Sequence, residues 1–208
     1  MAPPRTRRLI SDAEVIRKRF ACWPPIEISG TAGIPPEVYR FTYRVKGLYV
    51  DAGGSILERD MHLLEVNLSL GYPRRAPQCR MLTPVFHPNF DEASICIGDF
   101  WAAAEGLDEL VIRIGRMIAY QEYNIKSPLN GLAAKWAAQN IHLLPIDPRI
   151  IAPPTLDPVG CSPVIPTNPE SRSLTPDAVA IPVSPANQET TLPEADPWRE
   201  KIVLDPQL

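Results

Sequence analysis

Residues 72–97 read YPRRAPQCRMLTPVFHPNFDEASICI and contain two proline-bearing turn patterns, YPRRAP and HPN, followed by Cys96. A lone cysteine in a run such as SICI is usually a small buried hydrophobic residue. Asp91 and Glu92, however, give the preceding segment a polar, loop-like character, which favours an accessible thiol. Two interpretations of Cys96 therefore stay open from these residues alone, a packing residue and a nucleophile.

Composition places the chain among soluble globular proteins. Its 208 residues are 45% hydrophobic and carry a formal net charge of −3. No run of eighteen apolar residues occurs, and the basic N-terminus lacks the apolar core of a secretion signal, so neither a membrane span nor secretion is expected. Four dispersed cysteines without a CxxC pattern predict free thiols in a reducing cytoplasm. The three histidines do not pair with cysteines at zinc-ligand spacing, so no metal site is predicted.

Proline divides the chain into two parts. Fourteen of the 25 prolines lie in residues 145–208, which contain one glycine and, in Trp198, one aromatic residue. Such a segment buries too little apolar surface to offset the ~1–2 kcal/mol per residue of lost backbone freedom. We therefore predict one compact domain in residues 1–144 and an extended or disordered tail in 145–208, with a short docked element at 198–204.

The N-terminal part predicts an amphipathic helix. Ser11 followed by Glu14 has the pattern of a capping box and favours a late start, whereas Arg7 favours an early one. Apolar residues recur at helical spacing at Leu9, Ala13, Ile16 and Phe20.

The middle of the chain predicts strands, and the part after Cys96 predicts helices. Residues 37–48, 62–70 and 78–82 alternate or have strand composition, and no helix-length crossover separates them, which indicates an antiparallel meander of about four strands. Helical periodicity follows over 108–123, with Asp108 as the expected N-cap, and again over 129–140. The order of elements predicts an α+β fold.

Four motifs in this order resemble the ubiquitin-conjugating enzymes. They are YPxxxP at 72–77, TxxxHPN at 83–89, ICI at 95–97 and SPLNxxAA at 127–134. Each motif alone is of limited specificity, but their order and spacing are typical of the family. The resemblance covers residues ~8–140 and implies the family's fold, a helix followed by an antiparallel meander and further helices.

The resemblance implies that Cys96 accepts the C-terminus of a ubiquitin-like protein as a thioester. A thiol suits this chemistry because it is nucleophilic even when a few per cent is thiolate. The resemblance also implies that the amide of Asn89 stabilises the oxyanion formed when a target amine attacks that thioester. Asn89 can also serve the loop backbone through hydrogen bonds, and the two roles are compatible.

The resemblance implies smaller roles for other residues around the site. Ser127 stands where the family often has a carboxylate, so its hydroxyl can orient the incoming amine but cannot take its proton. Serine is also a common turn residue before a proline such as Pro128, so a purely structural role for Ser127 stays open. Asp99 is a second candidate for an electrostatic role. His87 and Pro88 are expected to be structural, with His87 fixing the turn rather than acting as the base of a Cys–His pair.

The expected partners are a ubiquitin-like protein, an activating enzyme and a target protein with a free amine. The basic end of the first helix is expected to contact the activating enzyme through Arg17, Lys18 and Arg19. No cofactor is expected on this chain, since ATP is used by the activating enzyme. Nucleic acid is not an expected partner, because the chain is acidic overall and no aromatic residues interleave with its basic clusters.

Three features depart from the family's common pattern. One residue fewer separates Asn89 from Cys96, the stretch 99–109 is rich in alanine, and the usual last helix is missing after Asn140. With these departures, the chain resembles the bacterial conjugating-enzyme-like proteins of antiviral ubiquitin-like conjugation systems. This resemblance implies a role in defence. The alternative function is a catalytically inactive module of the same fold that binds a ubiquitin-like protein, although Cys96 stands where such modules lack a cysteine.

Overall fold

The computed structural model describes residues 2–97, 101–149 and 151–153 and confirms the predicted α+β class. The predicted site residue Asp99, the fourth cysteine, Cys161, and the predicted docked element at 198–204 lie outside these residues. No helix in the described part is long and apolar enough to cross a bilayer. The elements are α1 (Pro4–Phe20), β1 (Ile26–Ala32), β2 (Val38–Tyr43), β3 (Gly47–Val50), β4 (Ile56–Arg59), β5 (His62–Asn67), β6 (Gln78–Met81), α2 (Leu107–Ile118), α3 (Gly131–Gln139) and a short 3₁₀ turn (Ile141–Leu143).

Four strands form an antiparallel sheet in the order β1-β2-β5-β6, and β3 pairs with β4 as a separate hairpin. The register sets Phe41 opposite Leu64 and Val66 opposite Cys79, so the alternation of β2, β5 and β6 places these side chains together in the core. Residues 37–48 were predicted as one strand, but they form β2 and β3. Gly47 begins β3 so close to His62 that an added Cβ would lie 2.8 Å from the ring Nε2 atom, an approach that a local pattern does not reveal.

Helix α1 begins at Pro4, with Pro3 at the N-cap position. Proline suits the first helical position, because its missing N–H has no partner there in any helix. The predicted capping box of Ser11 and Glu14 is therefore wrong, since both residues lie inside the helix.

The buried face of α1 contains a carboxylate that the apolar periodicity did not predict. Asp12 is buried, and its carboxylate accepts hydrogen bonds from the guanidinium of Arg8 at 2.9 Å and from the hydroxyl of Tyr72 at 2.6 Å. Arg8 also donates to the backbone oxygens of Ala103 and Glu105. This network ties α1 to the YPRRAP turn and to the segment that precedes α2.

Helix α2 ends at Ile118, five residues before the predicted end. The N–H groups of Tyr120 and Gln121 bind the oxygens of Met117 and Arg116, which is the Schellman pattern of a helix C-terminus. Tyr120 occupies the left-handed position with a φ of 54°, where glycine is usual.

Of the two later helices, an N-cap was predicted only for α2, and that prediction is wrong. Asp108 is not the N-cap of α2; that position is Gly106, and the Asp108 carboxylate is paired with Arg19 of α1 instead. At α3, the side chain of Asn130 accepts the N–H of Ala133 at 3.0 Å and caps the helix.

The chain after α3 packs against the domain as a segment that we name the strap, residues 146–149 with 151 and 152. The side chain of Ile151 is 1% exposed and lies in the main core, and its backbone oxygen accepts the indole N–H of Trp23 at 2.8 Å. The predicted domain boundary at residue 144 stays a prediction, but the first residues beyond it contact the core as far as Ala152.

Candidate active site

The HPN turn is built around a buried histidine. The ring Nδ1 atom of His87 accepts the backbone N–H of Asn89 at 3.0 Å, and the rings of Phe90 and Tyr120 meet the imidazole edge-on with centroids 4.9 and 4.6 Å away. Burial lowers the pKa of His87 to about 3, so the imidazole is neutral at physiological pH. A neutral, enclosed ring suits a support for the turn and does not suit an acid or base.

Cys96 lies directly across a short turn from Asn89. Its backbone N–H binds the oxygen of Asn89 at 2.8 Å, and Phe90 pairs with Ile95 in an isolated β-bridge. The intervening turn is closed by Asp91, whose carboxylate accepts the N–H groups of residues 93 and 94 at 2.8 and 2.6 Å. This compact turn accommodates the shortened spacing between the two predicted catalytic residues, and their backbones stay in contact.

Among the three described cysteines, Cys96 alone is both partly exposed and next to the HPN turn. Cys79 is buried in β6, and burial raises the pKa of its thiol to about 12, so it is protonated and inert at neutral pH. Cys22 is exposed, but it follows α1 and has no link to this turn among the described hydrogen bonds.

The side chain of Asn89 is held in one orientation. It is 5% exposed, and its Oδ1 atom accepts the backbone N–H of Asn124 at 2.9 Å. Because the oxygen is engaged in this way, the Nδ2 group is directed to the other side, and it makes no hydrogen bond to any residue that the structure describes. The amide is therefore fixed by the loop, and its two N–H donors have no partner among the described residues.

The loop that contributes Asn124 joins α2 to α3, and we name residues 119–130 the crossover loop. Its far end is also tied to the HPN turn, since the N–H of Asn130 binds the oxygen of Pro88 at 3.0 Å. Ser127 lies between these two tethers and is exposed, so its hydroxyl is open to solvent. The structure thus brings together the HPN turn, Cys96 and the loop that contains Ser127.

A groove of about 700 Å³ opens beside this cluster. One wall is the turn 91–93, with the exposed carboxylate of Glu92, and the other is residues 129–132 at the start of α3. Leu129 and Leu132 are exposed on that second wall.

The three basic residues predicted to contact an activating enzyme differ in their surroundings. Arg17 and Lys18 are exposed on the last turn of α1. Arg19 is partly buried and forms ion pairs with Asp108 and Glu109 of α2, so it joins the two helices. An internal structural role accounts for Arg19, and two of the three residues remain candidates for partner binding.

Two residues of the site were missed by sequence reasoning. Tyr120 donates its hydroxyl to the oxygen of Phe86 at 2.6 Å and packs on His87, and the backbone N–H of Asn124 orients the side-chain amide of Asn89. Both lie where the sequence indicated only the end of a helix, and their partners are more than thirty residues away. No local pattern signals such contacts.

Within the described ranges, no group of three metal-ligating side chains comes together.

The family model of the ubiquitin-conjugating enzymes matches residues 37–143, just over half of the chain. The matched range runs from the start of β2 to the 3₁₀ turn and contains the HPN turn, Cys96 and the crossover loop. By this match and by its fold, the chain belongs to the ubiquitin-conjugating enzyme family.

Proposed function

We propose that the protein is a transferase that carries a ubiquitin-like protein as a thioester on Cys96 and passes it to an amine of a target protein. Family membership implies a transferase that works with a ubiquitin-like protein and an activating enzyme. The observation that supports active chemistry in this chain is the side-chain amide of Asn89: Asn124 fixes it, its Nδ2 donors have no partner among the described residues, and the backbone of Asn89 binds that of Cys96.

In the first step, the Cys96 thiolate attacks the carbonyl carbon of the modifier's C-terminal thioester on the activating enzyme. A new C–S bond forms to Cys96, and the thiolate of the activating enzyme leaves. ATP is consumed earlier, by the activating enzyme, so this chain requires no cofactor of its own for the exchange. The partial exposure of Cys96 supports this role, because the attacking sulfur must reach a second protein.

In the second step, an amine of the target attacks the same carbonyl carbon. The carbonyl oxygen becomes an oxyanion, the C–N bond forms, the C–S bond breaks, Cys96 leaves as a thiolate, and the ammonium proton passes to water. The Nδ2 donors of Asn89 stabilise the oxyanion, and loss of one such donor typically costs on the order of 10²–10³ in rate. The Ser127 hydroxyl orients the amine and takes no proton.

The groove beside the site suits the approach of the target amine. The exposed carboxylate of Glu92 gives one wall a negative charge that attracts an ammonium group, and the leucines opposite offer apolar contact. The activating enzyme is proposed to dock on the exposed basic end of α1, through Arg17 and Lys18.

The biological setting is a further prediction. A cytoplasmic role in a bacterial antiviral conjugation system remains an expectation from the departures in the sequence. Its test is the set of neighbouring genes, which should encode a ubiquitin-like protein, an activating enzyme and a deconjugating peptidase. Neighbours of unrelated function would remove the basis for this setting and would leave the chemistry unaffected.

The chemistry can be tested without the natural partners. The probe is ubiquitin whose C-terminal glycine is a thioester of a small thiol, which loads a reactive cysteine by exchange. In a Cys22→Ser, Cys161→Ser background, we expect an adduct that reducing agent removes and that Cys96→Ala abolishes. Cys96→Ser should give an adduct that resists reducing agent, because an ester replaces the thioester.

The alternative function makes a different prediction for the loaded protein. Purified Cys96–ubiquitin thioester should pass its ubiquitin to free L-lysine, and Asn89→Ala should slow this transfer by about 10²-fold. Equal transfer rates for the two proteins would indicate a module that binds ubiquitin-like proteins without catalysing transfer.

A further inference from the structure

The strap contacts the crossover loop at the beginning of that loop. The side-chain amide of Gln121 donates to the backbone oxygens of Asp147 and Arg149 at 2.6 and 2.9 Å. In return, the N–H of Asp147 binds the oxygen of Ala119 at 3.3 Å. The first three residues of the crossover loop are thereby clamped to a segment that follows α3 in the sequence.

The strap is a firm support because it has anchors that are independent of Gln121. The carboxylate of Asp147 accepts the backbone N–H of Lys46 at 3.0 Å and pairs with the guanidinium of Arg149. The Arg149 guanidinium is the main reason that the pKa of Asp147 falls to about 2, so the carboxylate stays charged at neutral pH. Ile151 adds a buried apolar anchor to these polar ones.

The crossover loop transmits this clamp to the catalytic amide over a short distance. Asn124 follows the clamp at Gln121 by three positions, a span of about 11 Å at most. Asn124 is the residue whose N–H fixes the Oδ1 atom of Asn89. A displacement of the loop at Gln121 should therefore displace Asn124 and with it the side-chain amide of Asn89.

We propose that Gln121 is a positioning residue for transfer: by binding the strap it holds the crossover loop so that Asn124 keeps the Asn89 amide aligned. The role rests on the proposed function, because it acts through Asn89. It belongs to transfer and not to loading, since loading depends on Cys96, which is linked to Asn89 through the backbone and not through Asn124.

The test compares Gln121→Ala with Gln139→Ala, an exposed glutamine at the end of α3. Both are made in the Cys22→Ser, Cys161→Ser background, loaded with the ubiquitin thioester of a small thiol, and transferred to free L-lysine. We expect Gln121→Ala to load at the parent rate and to transfer about tenfold more slowly, because misplacing a catalytic group by about 1 Å can cost up to 10²-fold. Gln139→Ala should match the parent in both steps.

A double-mutant cycle separates positioning from general destabilisation. If Gln121 acts through Asn89, then Gln121→Ala should slow transfer no further when Asn89 is already alanine. Gln121→Glu keeps the shape but offers no donor to the strap oxygens, so it should share the defect of Gln121→Ala. A further slowing in the Asn89→Ala background would overturn the positioning role.

A second measurement does not depend on loading. In the uncharged protein, Gln121→Ala should raise the hydrogen-exchange rate of the Asn124 amide at least tenfold, and Gln139→Ala should leave it unchanged. Unchanged exchange at Asn124 contradicts the inference whatever the chemistry does. Absence of any Cys96 adduct on the parent protein contradicts the proposed function instead, so the two failures are distinguishable.

Discussion

Replacing Gly115 by alanine should loosen the strap from the core, although alanine is the better helix former. Gly115 lies inside α2, where an added Cβ would lie 2.7 Å from the Cγ2 atom of Ile151 and 3.0 Å from a ring carbon of Tyr43. Overpacking of this kind typically costs ~1–3 kcal/mol. The higher helix propensity of alanine returns ~1 kcal/mol, so the free energy of unfolding should fall by up to about 2 kcal/mol.

The matched control is Gly131→Ala at the start of α3. An added Cβ there meets no atom within 4 Å, so only the gain in helix propensity remains. We expect Gly131→Ala to be neutral or to stabilise the protein by about 0.5 kcal/mol. The pair differs in the surroundings of the new methyl group and shares the same chemical change.

Urea unfolding gives the free energy of unfolding of both variants, analysed with the same m-value as the parent protein. Gly115→Ala should also lower the Tm by roughly 3–6 °C for a domain of this size. In addition, the indole N–H resonance of Trp23 should shift, because that group binds the oxygen of Ile151. A Gly115→Ala protein as stable as the parent, with an unchanged Trp23 resonance, would show that the strap does not pack on α2 as described.

Three further outcomes are expected. Tyr120→Phe removes the hydroxyl that binds the buried oxygen of Phe86 and should cost about 1–1.5 kcal/mol in urea unfolding, and an unchanged midpoint would refute that bond. Replacing Arg17 and Lys18 by glutamate should slow charging by an activating enzyme at low salt without changing the Tm, and the defect should shrink as salt rises. Equal charging rates for the variant and the parent protein would place the docking surface elsewhere. Burial lowers the pKa of His87 to about 3 in the folded protein, whereas the unfolded chain has the ordinary value near 6.5. Between these values only the unfolded chain binds the proton, so the free energy of unfolding should fall as pH drops from about 6.5 towards 3. An imidazole that titrates near 6.5 in the native protein by NMR would contradict the burial.

Local pattern predicted the elements whose packing is periodic. The apolar spacing of α1 placed Leu9, Ile16 and Phe20 in the core, where they lie. The alternation of β5 likewise placed Leu64 and Val66 there. These predictions succeeded because one face of each element is buried and the period of the element repeats that burial along the sequence.

Features fixed by distant contacts were not predictable in this way. The division of residues 37–48 into two strands follows from their pairing partners, because β2 pairs with β1 and β5 whereas β3 pairs with β4. The strap was missed because proline density argued against packing, whereas Ile151 anchors it in the core and the carboxylate of Asp147 binds the backbone N–H of Lys46. In both cases the deciding contact is made by residues that are far apart in the sequence.

In the candidate site, too, the sequence predicted the motif residues but not the distant contacts that orient them. Motif order predicted Cys96 and Asn89, and the structure brings their backbones into contact. The orientation of the Asn89 side chain depends on a hydrogen bond from the backbone N–H of Asn124, which the sequence indicated only as part of a helix break. A left-handed tyrosine at position 120 also has no sequence signal, since glycine is the usual residue in that conformation.

The most direct test of the account is single-turnover transfer of ubiquitin from Cys96 to free L-lysine. Parent protein and Asn89→Ala, both loaded through the ubiquitin thioester of a small thiol, are followed by non-reducing electrophoresis. We predict equal loading of the two proteins and transfer about 10²-fold slower for Asn89→Ala. Loading on a cysteine other than Cys96, or equal transfer rates for the two proteins, would contradict the account.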